Sequence, residues 1–361
     1  MFSKKDTNIL KGIAIVLMLF HHLFYDQTVF QQYSIIWEPF NEEIVTTFSQ
    51  LCKVCVSIFV FLTGYGTTKS TLNEKNPQVC DEKICKRYFR VMSGFWFIYL
   101  CALICSCVFG LLGAEHTIYS VYCKEGICKG IVYAVMDFLG IANVFGTPTF
   151  NVTWWYIPYA IFFILIIPAL IKVFDRLKFA FIPIILLFQR VVFPDISGQF
   201  FRYLPVLILG ISFAKYNIFE KVRNSNFARK RRDIVLSLLL LAVSSYVRQN
   251  LGFNDISEAL MAASICYLSY RCISPLKIVG NCLGTLGKYS MNMFMLHTFI
   301  YYYYFKKYIY SFRSVWSIFL VLLFSSFVLA VLVEKIKSVV CYNKLLNCCE
   351  TKVIGFIQRI S

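Results

Sequence analysis

The sequence predicts an all-α integral membrane protein, a bundle of about ten transmembrane helices with both termini in the cytoplasm. Three observations support this fold class. Of the 361 residues, 58% are hydrophobic and only 15% are charged, whereas a soluble domain carries roughly 25% charged residues. The apolar residues form runs long enough to cross a bilayer. The basic residues lie between these runs, where they set the orientation of a membrane protein.

Ten segments approach the roughly 20 apolar residues that a membrane-spanning helix requires. They lie near 9–25, 47–68, 89–113, 153–173, 179–194, 200–216, 234–250, 257–273, 286–304 and 315–334. The segments 179–194 and 257–273 are the shortest, and 130–146 is apolar enough to be a re-entrant segment. Lys4 and Lys5 precede the first segment as they would in a signal peptide. No small-residue cleavage site follows it, so we expect a retained helix.

The distribution of positive charge predicts the orientation. Ten spans place both termini on one side, and that side collects 27 of the 36 Lys and Arg residues, leaving nine on the other. The more basic side of a membrane protein faces the cytoplasm, and Arg229-Lys230-Arg231-Arg232 contributes most to it. The exception is the group Lys306, Lys307 and Arg313, which falls outside. We expect one membrane domain over residues 1–340 and a short cytoplasmic tail over 341–361.

Two function classes are excluded by composition. The formal net charge of +17 suggests nucleic acid only where a folded domain presents a basic face with interleaved aromatic residues, and the chain has no such pattern. The fifteen cysteines fall largely in apolar runs, where a free thiol acts as a small hydrophobic group. Cys52 and Cys55 form a single C-x-x-C pair, for which helix packing is the favoured explanation. We therefore expect neither a nucleic-acid partner nor a metal site.

Histidine is the residue type that stands out. The chain contains only His21, His22, His116 and His297, and three of them interrupt apolar helices. An ionisable side chain at membrane depth usually faces the bundle interior and has a function. The alternative for each is a neutral imidazole that hydrogen-bonds a neighbouring helix.

The first helix aligns a cation with one of these imidazoles. His22 follows Lys11 by eleven residues, close to three helical turns, so both project from one face about 16 Å apart along the axis. His21 is rotated from that face by roughly 80°. Such a groove suits a long ligand with a phosphate head and a reactive far end. Lys11 considered alone would be a snorkelling anchor.

Several motifs resemble the membrane-bound acyltransferase 3 family, and they occur in that family's order over residues 8 to about 334. Lys11-Gly12 followed by an apolar run to His22 resembles its first-helix signature. The other matching segments are Phe59-Val60-Phe61-Leu62-Thr63-Gly64-Tyr65, Lys86-Arg87-Tyr88-Phe89-Arg90, Trp154-Trp155-Tyr156-Ile157-Pro158, and Leu286-Gly287-Lys288-Tyr289-Ser290 leading to Leu296-His297. Two residues depart from the pattern. Lys11 replaces an arginine and so loses bidentate phosphate contact but keeps its charge, and Thr63 replaces a serine.

The resemblance implies about ten helices and transfer of an acyl group, usually acetyl, from cytoplasmic acyl-coenzyme A. It implies an acceptor hydroxyl on a cell-surface carbohydrate or lipid-linked glycan, in the plasma membrane of a bacterial cell. His22 corresponds to the family's general base and Lys11 to a coenzyme A anchor. We extend these roles to Arg87 and Arg90 as further anchors and to His297 as a second catalytic residue.

The residues fit this chemistry on independent grounds. Acyl transfer to a hydroxyl needs a base to accept the hydroxyl proton, and imidazole, with a pKa near 6.5, suits that task at neutral pH. Burial in the membrane favours the uncharged form. His297 lies nine residues beyond Lys288 on a helix that runs outward, about 13 Å above it. We therefore expect the two imidazoles to share a cavity, with His297 binding the acceptor or the oxyanion. A structural polar contact is the alternative for His297.

Other polar and aromatic residues have more ordinary explanations. Trp154, Trp155 and Tyr156 are expected in an interfacial aromatic belt, and Gly64 is expected to permit close helix packing. Glu42 and Glu43 could orient an acceptor hydroxyl, although acidic loop residues are usually only solvated. Arg190, Arg202 and Arg248 lie near outer helix ends and are expected to snorkel. His116, in an external loop, has the weakest claim to a function.

Two other functions remain open from the sequence. A transporter or flippase for a polar or lipid-linked sugar would use the intramembrane His and Arg residues to line a path. Many such proteins contain inverted repeats, and none is visible here. A non-catalytic membrane scaffold would leave the spacing of Lys11 and His22 as coincidence. The identity of the acceptor, the acyl chain length, the route of the acyl group across the membrane and the oligomeric state do not follow from the sequence.

Overall fold

The structure, a computed structural model, describes residues 2–72, 74, 76–192 and 199–360. It is 84% helical and contains no β-strand within these ranges. The α-helices are α1 Lys4–Phe24, α2 Gln27–Phe30, α3 Glu42–Leu51, α4 Val54–Thr71, α5 Pro77–Leu111, α6 Ile118–Tyr122, α7 Ile127–Phe138, α8 Tyr156–Leu177, α9 Phe181–Val192, α10 Gln199–Lys215, α11 Ile218–Arg223, α12 Phe227–Asn250, α13 Asn254–Leu268, α14 Lys277–Thr298, α15 Lys306–Ser311, α16 Val315–Val339 and α17 Tyr342–Ile360. The predicted all-α class is confirmed.

Short helical turns of other types join some of these helices. Tight 3₁₀ turns are formed by Cys123–Glu125, Ala142–Phe145, Val152–Trp155 and Lys178–Ala180. Two wider π-helical segments, Ser269–Ile273 and Phe299–Tyr304, continue α13 and α14. Such π segments are rare and often occur at functional sites.

Five helical segments among the described residues are long and apolar enough to cross a membrane by length and composition: Lys4–Phe24, Glu42–Thr71, Pro77–Leu111, Val152–Leu177 and Val315–Val339. The other five predicted spans also fall on helices. α9 and α10 have 12 and 17 residues, fewer than the roughly 20 that a span requires. The end of the predicted segment 179–194 lies outside the described residues. The count of ten spans and the cytoplasmic termini therefore stay predictions.

The chain folds into two compact units, each assembled from separate stretches of sequence. Unit 1 contains Met1–His21, Phe48–Cys80 and Phe162–Lys288, and unit 2 contains His22–Thr47, Asp81–Ile161 and Tyr289–Ser361. In unit 1, α4 packs along α10, and α13 packs against α4, α10 and α12. Gly64 makes the first of these contacts possible, because a Cβ built there would lie 2.5 Å from the carbonyl oxygen of Leu207. Its predicted role in close packing is confirmed.

A second close approach in unit 1 joins α1 to α14. A Cβ built on Gly12 would overlap the carbonyl oxygen of Leu283, and one built on Gly287 would overlap that of Asn8. Below this crossing, the Ser274 hydroxyl donates to the carboxylate of Asp6. This contact precedes the crossing on both segments of the chain, so α1 and α14 run parallel.

The core of unit 2 forms where α5 meets the beginning of α8 and the end of α14. Phe95, Trp154, Met295 and Phe299 are buried together in it, and the rings of Phe95 and Trp154 meet edge to face at 5.0 Å. This core supports the C-terminal end of α14 and so gives its side chains fixed positions.

Candidate active site

Two of the predicted site residues, His22 and His297, come together in unit 2. Their ring centroids are 4.9 Å apart and the ring planes are inclined by 42°. His22 lies two residues before the end of α1 and is half-buried, whereas His297 lies one residue before the end of α14 and is fully buried. The two imidazoles that were predicted to share a cavity thus lie next to each other.

His297 is held by its own helix. Its Nδ1 lies 2.7 Å from the carbonyl oxygen of Phe294. A carbonyl oxygen can only accept a hydrogen bond, so Nδ1 carries a proton. The other nitrogen, Nε2, lies 3.4 Å from the hydroxyl oxygen of Thr298. The second nitrogen is therefore the one available for proton exchange.

A buried chain of polar side chains extends from Thr298. Its hydroxyl oxygen lies 2.9 Å from that of Thr153, and Thr153 in turn donates to Oδ1 of Asn151 at 2.8 Å. The amide nitrogen of Asn151 donates to the carbonyl oxygen of Met295 at 3.3 Å, which identifies Oδ1 as the acceptor. All three polar side chains are buried.

The direction of the hydrogen bonds in this chain follows from the number of protons. Thr153 has one hydroxyl proton and donates it to Asn151, so Thr298 must donate its own proton to Thr153. The oxygen of Thr298 then presents a lone pair to Nε2 of His297. It can accept a hydrogen bond when that nitrogen is protonated, so the chain is arranged to support a His297 that has taken up a proton.

An aromatic residue of the π segment completes the pair. The Tyr301 ring stacks on His297 with centroids 5.8 Å apart and planes inclined by 11°, and it lies 6.3 Å from the His22 ring. A regular α-helix would rotate Tyr301 differently, because a π segment has more residues per turn. The wider turn therefore contributes to the position of the ring beside both imidazoles.

His21 has a different environment from its neighbour. It is buried in unit 1, and its Nδ1 lies 2.7 Å from the carbonyl oxygen of Ser49, to which it must donate. This hydrogen bond anchors α1 to α3. The predicted rotation of His21 away from the face of His22 therefore gives the two residues different contacts.

Arg87 and Arg90 lie toward the beginning of α5 in unit 2, Arg87 half-buried and Arg90 exposed. A Cβ built on Gly94 would lie 3.8 Å from Cγ of Met291. Farther along, Phe109 stacks on Tyr304 at 4.4 Å, so α5 and α14 run parallel. Arg87 precedes Gly94 by seven residues and His297 follows Met291 by six. Arg87 is therefore about 20 Å from His297 along the helix axes.

Lys11 lies on α1 and is half-buried, directly before the glycine of the close crossing. The helix is unbroken from Lys4 to Phe24. The separation of about 16 Å between Lys11 and His22 along this helix therefore holds.

Two features of the site were not predicted from the sequence: the hydrogen-bonded side chains of Thr298, Thr153 and Asn151, and the burial of Trp154. Trp154 is buried, and its indole nitrogen donates to the carbonyl oxygen of Met295 at 3.2 Å, so it belongs to the core and not to an interfacial belt. Asn151 caps the 3₁₀ turn that carries Thr153. The pattern Asn151-Val152-Thr153 marks such a cap, but nothing in it indicates contact with Thr298.

His116, predicted to have the weakest claim, lies apart from the imidazole pair within unit 2. Its ring stacks on Tyr303 at 3.6 Å, and its Nε2 lies 2.9 Å from the carbonyl oxygen of Phe150. Burial lowers the pKa of His116 from its ordinary value. These contacts order the loop between α5 and α8, a structural role.

Comparison with known proteins assigns the family. A model of the acyltransferase 3 family, described as an acyltransferase domain, matches residues 5–335. No curated protein and no solved structure matches the chain. The matched region is nearly the whole chain, and it includes the imidazole pair and the basic residues of α1 and α5. The chain therefore belongs to the acyltransferase 3 family, as its motif order predicts.

Proposed function

We propose that this membrane acyltransferase transfers an acetyl group from cytoplasmic acetyl-coenzyme A to a hydroxyl of a cell-surface carbohydrate or lipid-linked glycan. The observation that carries the proposal is the contact of His22 with His297 at 4.9 Å between ring centroids, in a chain of this family. Two imidazoles side by side can accept and return protons at neutral pH. We place the reaction in the plasma membrane of a bacterial cell.

His22 serves as the general base in this proposal. It accepts the proton of the acceptor hydroxyl as the hydroxyl oxygen forms a bond to the acyl carbon and the carbon–sulfur bond breaks. The sulfur leaves as the thiolate of coenzyme A and regains a proton from the imidazolium. His297 donates from Nδ1 to the Phe294 carbonyl oxygen and has the Thr298 hydroxyl oxygen as an acceptor at Nε2. In its protonated form it therefore stabilises negative charge on the acyl oxygen through its own positive charge.

The basic residues bind the donor. Acetyl-coenzyme A carries its phosphates at one end and its thioester at the other, joined by a long flexible arm. Arg87 on α5 lies about 20 Å from His297 along the helix axes, and Lys11 lies about 16 Å from His22 along α1. Each cation is therefore well separated from the imidazole with which it is compared. Arg87 and Arg90 are one turn apart on α5 and lie on neighbouring positions of its surface. Guanidinium groups suit phosphate oxygens well.

The transporter alternative has no comparable support. Family membership favours transfer chemistry, and the described residues include no feature that favours a transport path over a reaction site. Binding of coenzyme A by the purified protein separates the two functions, because a flippase has no need of this ligand.

The base assignment is tested by replacing His22. We expect His22→Ala to reduce acetyl transfer into envelope glycans by roughly 10²–10⁴-fold, the usual contribution of a general base. Membranes that contain each variant at matched amounts provide the measurement. His21→Asn is the matched control, because the asparagine amide can still donate to the Ser49 carbonyl oxygen, and we expect it to retain activity. Undiminished transfer by His22→Ala would contradict the proposal.

The donor assignment is tested by replacing Arg87. We expect Arg87→Gln to raise the KM for acetyl-coenzyme A about tenfold, the loss of one hydrogen bond to a charged group, with a smaller change in kcat. Lys86→Gln is the control, because Lys86 is exposed and pairs with Glu82 on the same helix. An unchanged KM in Arg87→Gln would remove this residue from the donor site.

A further inference from the structure

A buried carboxylate in unit 1 gathers two arginines. Glu258 is only 1% exposed. Its Oε2 accepts from Nε of Arg202 at 3.3 Å, and its Oε1 accepts from Nε of Arg248 at 3.1 Å. Nη2 of Arg202 also donates to Oε1, and Ser57 donates to Oε2 at 3.2 Å. The prediction that Arg202 and Arg248 snorkel at helix ends is wrong, because both turn inward to this carboxylate. The side chain of Arg190 lies outside the described residues.

A third cation, Lys53, follows Gln50 by three residues, and the Gln50 carbonyl oxygen accepts from Nη1 of Arg248 at 2.6 Å. It is half-buried at the junction between α3 and α4. Its ammonium group forms no ion pair and no hydrogen bond with the described part of the chain. An unpaired cation in a partly buried position is costly unless an anion accompanies it.

The acidic residues do not balance this cluster. Asp255 is the other carboxylate within electrostatic reach of Arg202, and its oxygen accepts from the backbone nitrogen of Ile256. Three cations thus stand against two carboxylates, which leaves one positive charge in excess.

The arginines also keep donors to spare. Arg202 uses Nε and Nη2 on Glu258, and Arg248 uses Nε on Glu258 and Nη1 on the Gln50 carbonyl oxygen. One terminal nitrogen of each guanidinium, Nη1 of Arg202 and Nη2 of Arg248, makes no hydrogen bond to a described residue. Each of these two groups, like the Lys53 ammonium, therefore keeps hydrogen-bond donors for a ligand.

The predicted topology places this cluster on the outer side. Lys53, Arg202 and Arg248 are three of the nine Lys and Arg residues assigned there by charge distribution. His21 donates to the carbonyl oxygen of Ser49, four residues before Lys53, and His22 follows His21 in the sequence.

We propose that Lys53, with the Arg202–Glu258–Arg248 group, binds the phosphate of a lipid-linked glycan acceptor in the outer half of the membrane. This inference rests on the proposed function and names the class of acceptor. A phosphate has more acceptor oxygens than a carboxylate and can engage an ammonium and two guanidinium nitrogens together. A lipid chain would lie beside the apolar helices of unit 1, and the glycan would remain outside.

Binding to purified protein in a neutral detergent provides the test. The probe is dodecyl phosphate, and inorganic phosphate and dodecanoate are compared with it. We expect Lys53→Gln to weaken dodecyl phosphate binding about tenfold, the loss of one hydrogen bond to a charged group, and Lys53→Arg to restore it. Lys124→Gln is the control, since Lys124 is an exposed lysine of the same predicted side, and we expect no change.

The other arms separate the possible outcomes. Binding of dodecyl phosphate that is equally strong in wild type and Lys53→Gln overturns the site. Equally tight dodecanoate binding overturns the choice of phosphate. Inorganic phosphate that binds the wild type as tightly as dodecyl phosphate does, and loses this binding in Lys53→Gln, would support the anion site. The same result would overturn the assignment of a lipid-linked phosphate as its ligand.

Two further measurements keep this inference distinct from the proposed function. Acetyl-coenzyme A binding by Lys53→Gln should equal that of wild type, which also shows that the variant is folded. Dodecyl phosphate binding by His22→Ala should be normal. Full acetyl transfer by His22→Ala would contradict the proposed function and leave the phosphate result unchanged. Loss of transfer in His22→Ala together with normal dodecyl phosphate binding by Lys53→Gln would contradict only the acceptor assignment.

Discussion

His297 has a polar partner for each ring nitrogen, and the partners differ in kind. The Phe294 carbonyl oxygen fixes the proton on Nδ1, whereas the Thr298 hydroxyl oxygen can accept a hydrogen bond from a protonated Nε2. Thr298 is itself oriented by Thr153 and Asn151. Since none of these hydroxyl or amide groups would touch the substrates in the proposed mechanism, Thr298 is a positioning residue for the imidazole.

Replacement of Thr298 tests this role. We expect Thr298→Val to reduce kcat about tenfold, because one hydrogen bond to the protonated imidazole is lost, while the KM for the acetyl donor stays constant. Thr298→Ser keeps the hydroxyl and should restore most of the activity. Steady-state kinetics on matched membrane preparations gives both parameters. A valine variant with wild-type kcat, or a serine variant as poor as valine, would remove Thr298 from the mechanism.

The relative positions of residues on one helix were predictable from the sequence. Contacts between residues on different elements were not. The separation of Lys11 and His22 on one helix depends only on helix geometry. The contact between Thr153 and Thr298 joins residues 145 positions apart and depends on how α8 and α14 pack. Glu258 was missed as the partner of Arg202 and Arg248 for the same reason.

Among the described helices, α1 and α14 approach each other closely, and two glycines allow it. A side chain on Gly12 or Gly287 would overlap the backbone of the opposite helix. Glycines at such crossings let helices associate through van der Waals contact in a membrane, where no hydrophobic effect drives helices together. The motif glycines beside Lys11 and Lys288 therefore have a packing explanation that does not depend on catalysis.

A pair of alanine substitutions on α14 tests this explanation. We expect Gly287→Ala to destabilise the protein by roughly 1–3 kcal/mol, because the added methyl group overpacks the crossing. Gly284→Ala, on the same helix, should be neutral or stabilising by up to about 1 kcal/mol, since its Cβ would lie 3.9 Å from the nearest atom, in Ile9. Thermal unfolding in detergent gives the order of stability. Equal stability of the two variants would contradict the close crossing.

The positions of the helices were predictable and several of their limits were not. α5 begins at Pro77 and α14 at Lys277, nine or more residues before the apolar segments predicted at 89–113 and 286–304. Hydropathy detects only the part of a helix that suits lipid, and these helices continue into polar sequence. The π segment Phe299–Tyr304 also gave no signal, because its aromatic residues fit an α-helix equally well.

For the molecule as a whole, the distribution of basic residues predicts ten spans with cytoplasmic termini. That prediction depends on charge and hydropathy summed over the entire chain. The division into two units was not predictable, because each unit combines separate stretches of sequence and only their packing reveals which stretches belong together.

Cysteine labelling tests the topology. Cys128 and Cys348 are both exposed, and the prediction places the first outside and the second in the cytoplasm. In variants that keep only one cysteine, a membrane-impermeant maleimide should label Cys128 in intact cells and Cys348 only after permeabilisation. A variant with Cys52 alone is the control, since this thiol is buried and should react in neither case. Labelling of both exposed sites in intact cells would place the tail outside and contradict the seven spans predicted between Cys128 and Cys348.

The glycine crossing also limits how α1 and α14 can shift along each other. At Gly12 and at Gly287 the backbone of one helix lies where a Cβ of the other would have to be. A shift of either helix by one residue would rotate its glycine away from the contact by about 100°. A neighbouring residue with a side chain would then face the opposite backbone. The two glycines therefore permit a single register between these helices.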